Sequence, residues 1–505
     1  MIGMTVTQLQ ALIGAGKAVE NHRPVPRAIV SESTWREAIG ALAAERCSLL
    51  GLWATPGTVH MAVCEGSEIG VLSLDCADGH FPSVGARHPP AIRLERAIAD
   101  LAGLEAAGAQ DVRPWLDHGK WGVRRPLGDR IETDGPPPPY PFLTAEGAGL
   151  HQIPVGPVHA GVIEPGHFRF TANGETVVRL EERLGYAHKG IEALMAGADL
   201  ERAAKLAGRV SGDSTVAYAL AFARAVEAAT DCDVPPRALY LRALMAELER
   251  IANHLGDIGA ICNDAAFAIM LAHCAVLRER VLRFAADAFG HRLMMDRIVP
   301  GGVGTDLGAE DVTALRGLIK TIRRDFPRLV QLYDRTASLQ DRTVGTGHLR
   351  PELARRFAPG GFVGRSAGRS FDARMTVAYP PYDALEFAVP TRAEGDVNAR
   401  VWVRIEEVEQ SLGIIEQILA SLPAGDLIRD IPARGGEGLA LVEGFRGEVL
   451  AWVRLSDDGT LAHCHLRDPS WFQWPLLEAV IEDNIVADFP LCNKSFNCSY
   501  SGHDL

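Results

Sequence analysis

The chain has 505 residues, 47% of them hydrophobic and 23% charged, an ordinary balance for a soluble globular protein and enough length for two or more domains with their own cores. A formal charge of −13 lacks the basic footprint that nucleic-acid binding needs, and no apolar run approaches the ~20 residues that cross a bilayer. Nine cysteines, none spaced Cys-x-x-Cys, exclude the usual zinc, iron–sulfur and thioredoxin-type motifs and read as reduced, mostly buried thiols.

The start, Met-Ile-Gly-Met-Thr-Val-Thr, lacks a basic, apolar signal peptide, so a cytoplasmic protein is expected. Residues 1–133 read as a small α+β module. Ser33 to Glu45 is an amphipathic helix, with Trp35, Ala38, Ile39 and Leu42 at helical spacing. Three β-prone stretches follow, Ser48 to Ala54, Val59 to Cys64 and Ile69 to Leu74, the first two joined by Pro56-Gly57 as in a meander. Ala91 to Ala102 is a second helix. Residues 134–150 begin Asp134-Gly135 and continue with four consecutive prolines, which suit neither helix nor central strand and predict a linker.

From 151 to 505 the pattern is mainly helical. A strand is expected at Val177 to Leu180, and helices over 191–195, 214–229, 236–257, 275–292, 311–338 and 398–422. Val442 to Arg454 and Ala462 to Leu466 read as a late hairpin around Asp457-Asp458-Gly459. Glu247, Arg250 and His254 share one helix face, and Glu249 pairs with Asn253 at i, i+4. Such a string suits either proton transfer or an internal salt-bridge network. The glycine clusters at 301–302, 345–347 and 360–361 lack phosphate-loop context and read as loop glycines.

Gly156-Pro157-Val158-His159-Ala160-Gly161 with Pro165-Gly166-His167-Phe168-Arg169-Phe170, then Gly185 to Glu192 and Leu244 to His254, resemble the large subunits of membrane-bound, energy-converting nickel–iron hydrogenases and the related quinone-site subunit of respiratory complex I. Phe289 to Arg292, Gly345-Thr346-Gly347, Pro381-Tyr382-Asp383, Gly395-Asp396-Val397 and Glu443 to Glu448 continue the match. Residues 94–103 and 111–116 resemble the accessory subunit that pairs with the quinone-site subunit. The resemblance implies an α+β N-terminal module followed by a mainly α domain of the hydrogenase-large-subunit type. It implies an iron–sulfur small subunit, a ferredoxin-like subunit and antiporter-like membrane subunits as partners. It also places the chain peripherally on the cytoplasmic side of a membrane.

The departures from the family pattern bear on function. Where the hydrogenases carry Arg-x-Cys-Gly-x-Cys, this chain has Arg209-Val210-Ser211-Gly212-Asp213-Ser214. Asp488 to Ser495 takes the place of their C-terminal Asp-Pro-Cys-x-x-Cys, with Cys492 and Ser495 in the metal-site positions. Cys498, six residues on, has the wrong spacing for a shared site, and Leu505 leaves no tail of the kind hydrogenase maturation removes. Nickel and iron need soft thiolates, so no metal is expected here. Ser211 or Ser214 reads as a helix N-cap, with Asp213 favourable at the helix start. The alternative is a polar cavity in which Arg209 and Asp213 bind an anionic or quinone-like ligand. The resemblance also implies a quinone-headgroup histidine, His159 or His167.

Overall fold

The computed structural model of the chain describes residues 6–133 and 139–505. The prolines expected to open a linker lie largely at 134–138, outside the described residues. Beyond them, the Tyr140 ring packs against Arg183, 4.4 Å from its guanidinium carbon.

In the N-terminal part, β1 (Ser48–Thr55), β2 (Thr58–Glu65) and β3 (Glu68–Asp75) form the expected antiparallel meander. Thr55 pairs with Thr58 around Pro56-Gly57, where Gly57 takes the left-handed conformation that a tight hairpin requires. Arg27–Ile29 joins this sheet parallel to β3. Helix α1 (Glu32–Ala43) starts at Ser31, whose hydroxyl accepts the Thr34 N–H, and it buries the four apolar residues named from its periodicity. Helix α2 (Ile92–Ala102) follows.

The sheet is buried on both faces. Val59, Met61 and Val63 point into one core with α1, while Ala62 and Cys64 point into a second core shared with the later helices. That split follows from the two-residue period of a strand. The first core also takes in Phe168, Phe170, Trp474 and Phe489, so the segments before and after residue 133 share both cores. Buried ion pairs cross between them as well: Arg27 with Glu437, and Arg93 with Glu182 and Glu478.

The C-terminal part opens with an antiparallel sheet of β4 (Leu150–Val155), β5 (His167–Asn173) and β6 (Thr176–Arg183). Its main helices are α3 (Thr215–Thr230), α4 (Pro236–Asp264), α5 (Ala268–Phe289), α6 (Ala309–Arg335) and α7 (Val397–Ser421). Helices α4 and α5 form a tight hairpin through Ala265-Ala266-Phe267, and α7 packs on α4. Helix Leu200–Ala207, capped by Asp199, was not expected from the sequence.

A second sheet contains β7 (Gly436–Gly444), β8 (Gly447–Leu455) and β9 (Leu461–Arg467), with His22–Arg23 added in parallel on the β7 edge. The single strand expected over 442–454 is therefore two strands joined at Phe445-Arg446. Both are buried along nearly their whole length, so the alternation that would mark each strand is absent. Helix α3 crosses β7 so closely that a Cβ at Gly438 would lie 1.9 Å from the Ala225 carbonyl oxygen. Helices α8 (Ser470–Val480), α9 (Phe489–Phe496) and Tyr500–Asp504 return the chain end to the core. There the Asp504 carboxylate accepts the Gly185 and Ala187 N–H groups. Helix accounts for 45% and strand for 19% of the molecule, a mixed α/β composition.

Candidate functional site

A cavity of about 650 Å³ opens where four segments meet: the loop after β4, the turn before α3, helix α9 and residues 497–501. Val155, Val162, Ile163 and Phe489 supply apolar wall, and His159, Glu164, Asp213, Arg446, Asn493 and Tyr500 supply polar groups. The turn Gly212–Ser214 presents Asp213 to the cavity, about a third exposed. Arg446, buried at the β7–β8 turn, donates to both Asp213 carboxylate oxygens at 2.8 and 2.5 Å. A second bond from its Nη1 reaches the Ser214 hydroxyl at 3.1 Å. Burial, the largest influence, would raise the Asp213 carboxyl, but the Arg446 charge together with the hydrogen bonds from Arg446 and Ser211 outweighs it and holds the group below the usual carboxylate range.

On another wall, Tyr500 Oη lies 3.1 Å from His159 Nε2. His159 Nδ1 lies 3.1 Å from the Pro157 carbonyl oxygen, which can only accept. Nδ1 therefore carries a proton, and in the neutral ring Nε2 accepts from the tyrosine hydroxyl.

The start of α3 is capped, but not by the serines. Neither Ser211 nor Ser214 makes a side-chain capping bond. Ser211 Oγ instead donates to Asp213 at 2.8 Å and lies 2.9 Å from Ser499 Oγ. The orphan N–H groups of Val216 and Ala217 are taken by the two oxygens of the Glu249 carboxyl group, which reaches across from α4 at 2.7 and 3.1 Å. A capping group 33 residues away from Val216 leaves no local signature in the sequence.

His159, Ser211 and Asp213 thus come together at the cavity, with Ser214 behind it against Arg446. Arg209 does not: it points outward and pairs with Asp296, its Nη2 2.8 Å from Oδ2. The cavity guanidinium belongs to Arg446, from a turn hidden inside what reads as one strand. His167 is buried at the start of β5, with Nδ1 3.4 Å from the Gly156 oxygen and its ring against Phe142. Cys492 and Ser495 lie away from the cavity in the core around Arg400, whose Nε donates to Ser495 Oγ at 2.9 Å. The segment that does face Ser211 is Cys498-Ser499-Tyr500-Ser501, spaced Cys-x-x-Ser. Its signal was present in the spacing but was masked by the better-placed Asp488.

These residues do not fit a nickel–iron centre. Hydroxyls stand at Ser211, Ser214 and Ser501, and one thiol remains. Burial pushes the Cys498 thiol well above its ordinary value, and its Sγ lies 3.9 Å from Gln473 Oε1. A protonated thiol and hydroxyls are poor ligands for these metals, and a guanidinium sits against Ser214 in place of an anionic donor.

A turn carrying Arg209 to Ser214, faced by a C-terminal Cys-x-x-Ser segment, defines a protein of the hydrogenase-large-subunit class with its thiol pairs lost. Residues 189–256 match the family described as nickel-dependent hydrogenase. Residues 264–435 match that described as respiratory-chain NADH dehydrogenase, 49 Kd subunit. Formate hydrogenlyase subunit 5 of Escherichia coli (strain K12) is 31% identical, the match covering 86% of this chain and 78% of that protein. A subunit of the NADH-quinone oxidoreductase of Syntrophobacter fumaroxidans is 31% identical over 69% of this chain and 95% of its own. Among solved structures, a chain of the archaeal membrane-bound sulfane sulfur reductase superposes with a TM-score of 0.67 at 25% identity. That match covers 71% of this chain and 99% of that one. The chain belongs to the family that unites nickel–iron hydrogenase large subunits with the 49 kDa subunit of respiratory NADH dehydrogenase. Among the described residues, no helix is long and apolar enough to cross a membrane.

Proposed function

We propose that the chain is the peripheral large subunit of a membrane-associated, complex I-like oxidoreductase, and that its cavity admits a quinone-like carrier reduced by an iron–sulfur cluster in a neighbouring small subunit. A ferredoxin-like subunit, antiporter-like membrane subunits and a position on the cytoplasmic face belong to the same reading. The relatives support it: their names describe a formate hydrogenlyase, an NADH-quinone oxidoreductase and a membrane-bound sulfane sulfur reductase.

One observation carries the carrier site. The cavity pairs an apolar wall with a hydrogen-bonding Tyr500–His159 couple and an Asp213–Arg446 ion pair, in the space faced by the former thiol positions. Apolar walls with a few oriented polar groups are what a flat, amphipathic carrier needs. The carrier and cluster supply the electron chemistry, and this chain supplies shape, hydrogen bonds and field.

The test is reduction of a short-chain quinone by the purified complex, with His159→Ala and Tyr500→Phe variants. Loss of a hydrogen bond made to the reacting carrier is expected to lower kcat/KM by about 10- to 100-fold. Unchanged quinone reduction in both variants would remove the carrier site and leave a scaffold or coupling role. Reduction of polysulfide but not quinone would assign the cavity to sulfane sulfur.

A further inference from the structure

Glu249 lies behind the cavity wall. It is buried on α4, both its oxygens accept backbone N–H groups, and among the described residues no cation forms an ion pair with it. Asn253, one turn along, donates to the carbonyl oxygens of both Asp213 and Glu249, at 2.8 and 2.9 Å. Asp213 faces two spaces: the large cavity and, on its other side, a void of about 10 Å³ that it shares with Glu249, Asn253, Arg278 and Arg292. By this measure such a void is close to the room one water takes; most of its wall is apolar, from Leu248, Val281, Leu282 and Met294 among others, and Asp213, Glu249 and Asn253 are the groups that could hold the water there. Arg292, which lines the void, is itself exposed and pairs with Glu279.

We propose that Glu249 is the proton donor to the carrier in the cavity, acting through one water in the void beside Asp213. This rests on the carrier reading above. In reduction of a quinone-like carrier, two electrons come from the partner's iron–sulfur cluster and two protons are taken up, turning both carbonyl oxygens into hydroxyls. The Glu249 O–H bond breaks as its proton passes to the water. The water in turn releases a proton along the Asp213 carboxylate to a carrier oxygen. Solvent at the Arg292 end then reprotonates Glu249, and the second proton follows the same route.

The charge setting suits the task. Burial raises the Glu249 carboxyl to about 8, against the pull of the Val216 and Ala217 N–H bonds. The Asp213 charge adds to the rise and Arg250 opposes it. Arg278 and Arg292 face the void from α5 and the loop after it, and Arg446 neutralises Asp213 from the other side. Glu249 is thus protonated at neutral pH and able to release its proton near it.

The experiment follows quinone reduction by the purified complex from roughly pH 6 to 10, for the wild type, Glu249→Gln and Glu249→Asp. In the wild type, kcat is expected to fall above about pH 8, as the donor form is lost. Glu249→Gln is expected to lose about 100-fold in kcat with KM unchanged, and to lose that alkaline limb, while Glu249→Asp recovers part of both. A working wild type beside a Gln variant with the same kcat and pH profile overturns the donor role alone. A wild type that reduces no quinone overturns the carrier reading and the donor role with it. Should Glu249→Gln fail to fold, infrared difference spectra of the wild-type complex decide. Reduction must consume and restore a protonated-carboxyl band that moves in Glu249→Asp, and its absence overturns the proposal.

Discussion

Asp213 and Arg446 lie 233 residues apart, yet each sets the chemistry of the other. Arg446→Ala leaves a carboxylate against the cavity wall with its countercharge gone; because Asp213 is about a third exposed and solvent screens part of that loss, the cost is about 2 kcal/mol. Because Arg446 holds the Asp213 carboxyl low, the pair stabilises the fold above the ordinary carboxylate range and loses that effect as pH falls. Urea unfolding should therefore show a large deficit for Arg446→Ala at neutral pH and a smaller one near pH 4. Equal deficits at both values would argue that the charge is not what matters.

Glu249 has the opposite sign. Its folded value near 8 lies above the ordinary carboxyl range, so its stabilising effect is complete below about pH 4 and fades as pH rises toward 8. The loss is on the order of 4–5 kcal/mol for a shift of this size. Glu249→Gln cannot ionise but turns one of the two accepting oxygens into a donor, so it is expected to trail the wild type by about 1 kcal/mol at acid pH and to close or reverse that gap at alkaline pH, read as melting temperature. A wild type that keeps its lead at alkaline pH would contradict this sign. The cavity serines and Asp213 were legible because they lie within one short motif. Glu249 was noted only for its helical pairing with Asn253, and Arg446 and Tyr500 were not singled out, because nothing local ties any of the three to that motif.

Between elements, the helix pair α4–α7 is held by charges at depths where water does not reach. Glu247 accepts from Arg374, Tyr382 and Ser411, and the Glu407 carboxylate lies 2.7 Å from His254 Nε2 and accepts from Arg365. Arg250 crosses to the β7 carbonyls of Glu443 and Gly444. This is the salt-bridge outcome for the string read on one face of α4, and it ties α4 to α7, to the π-helical turn Arg374–Ala378 and to β7. Glu407→Ala strands the Arg365 and His254 side of the network and should cost about 3–5 kcal/mol. Chemical denaturation measures it, and a cost under about 1 kcal/mol would show that the remaining carboxylates rebalance the charge. The helices themselves were readable from 3.6-residue periodicity. Their partners were not, since an arginine on a helix face gives no sign of which carboxylate will meet it.

At the scale of the molecule, the meander β1–β3 is sandwiched between two cores rather than resting on one. Trp53 stacks on His465 with ring centroids 5.0 Å apart, and Trp115 Nε1 lies 3.2 Å from His503 Nε2. A chain cut between residues 133 and 139 should therefore yield fragments that are poorly soluble apart and regain native circular dichroism only when coexpressed. A soluble, folded 139–505 fragment would show instead that the N-terminal module is an independent domain.

The amino-acid sequence by itself determined the class of protein, the order of most helices and the N-terminal meander, because periodicity, turn residues and short motifs are local properties. It also determined that the thiol sites are depleted, since serine is visible wherever it stands. The tertiary structure decided which arginine enters the cavity, which carboxylate caps α3, and that Cys498 to Ser501 rather than Cys492 and Ser495 faces the first motif. Those choices depend on where distant segments meet when the C-terminal residues fold back onto the core, and no local pattern encodes that meeting.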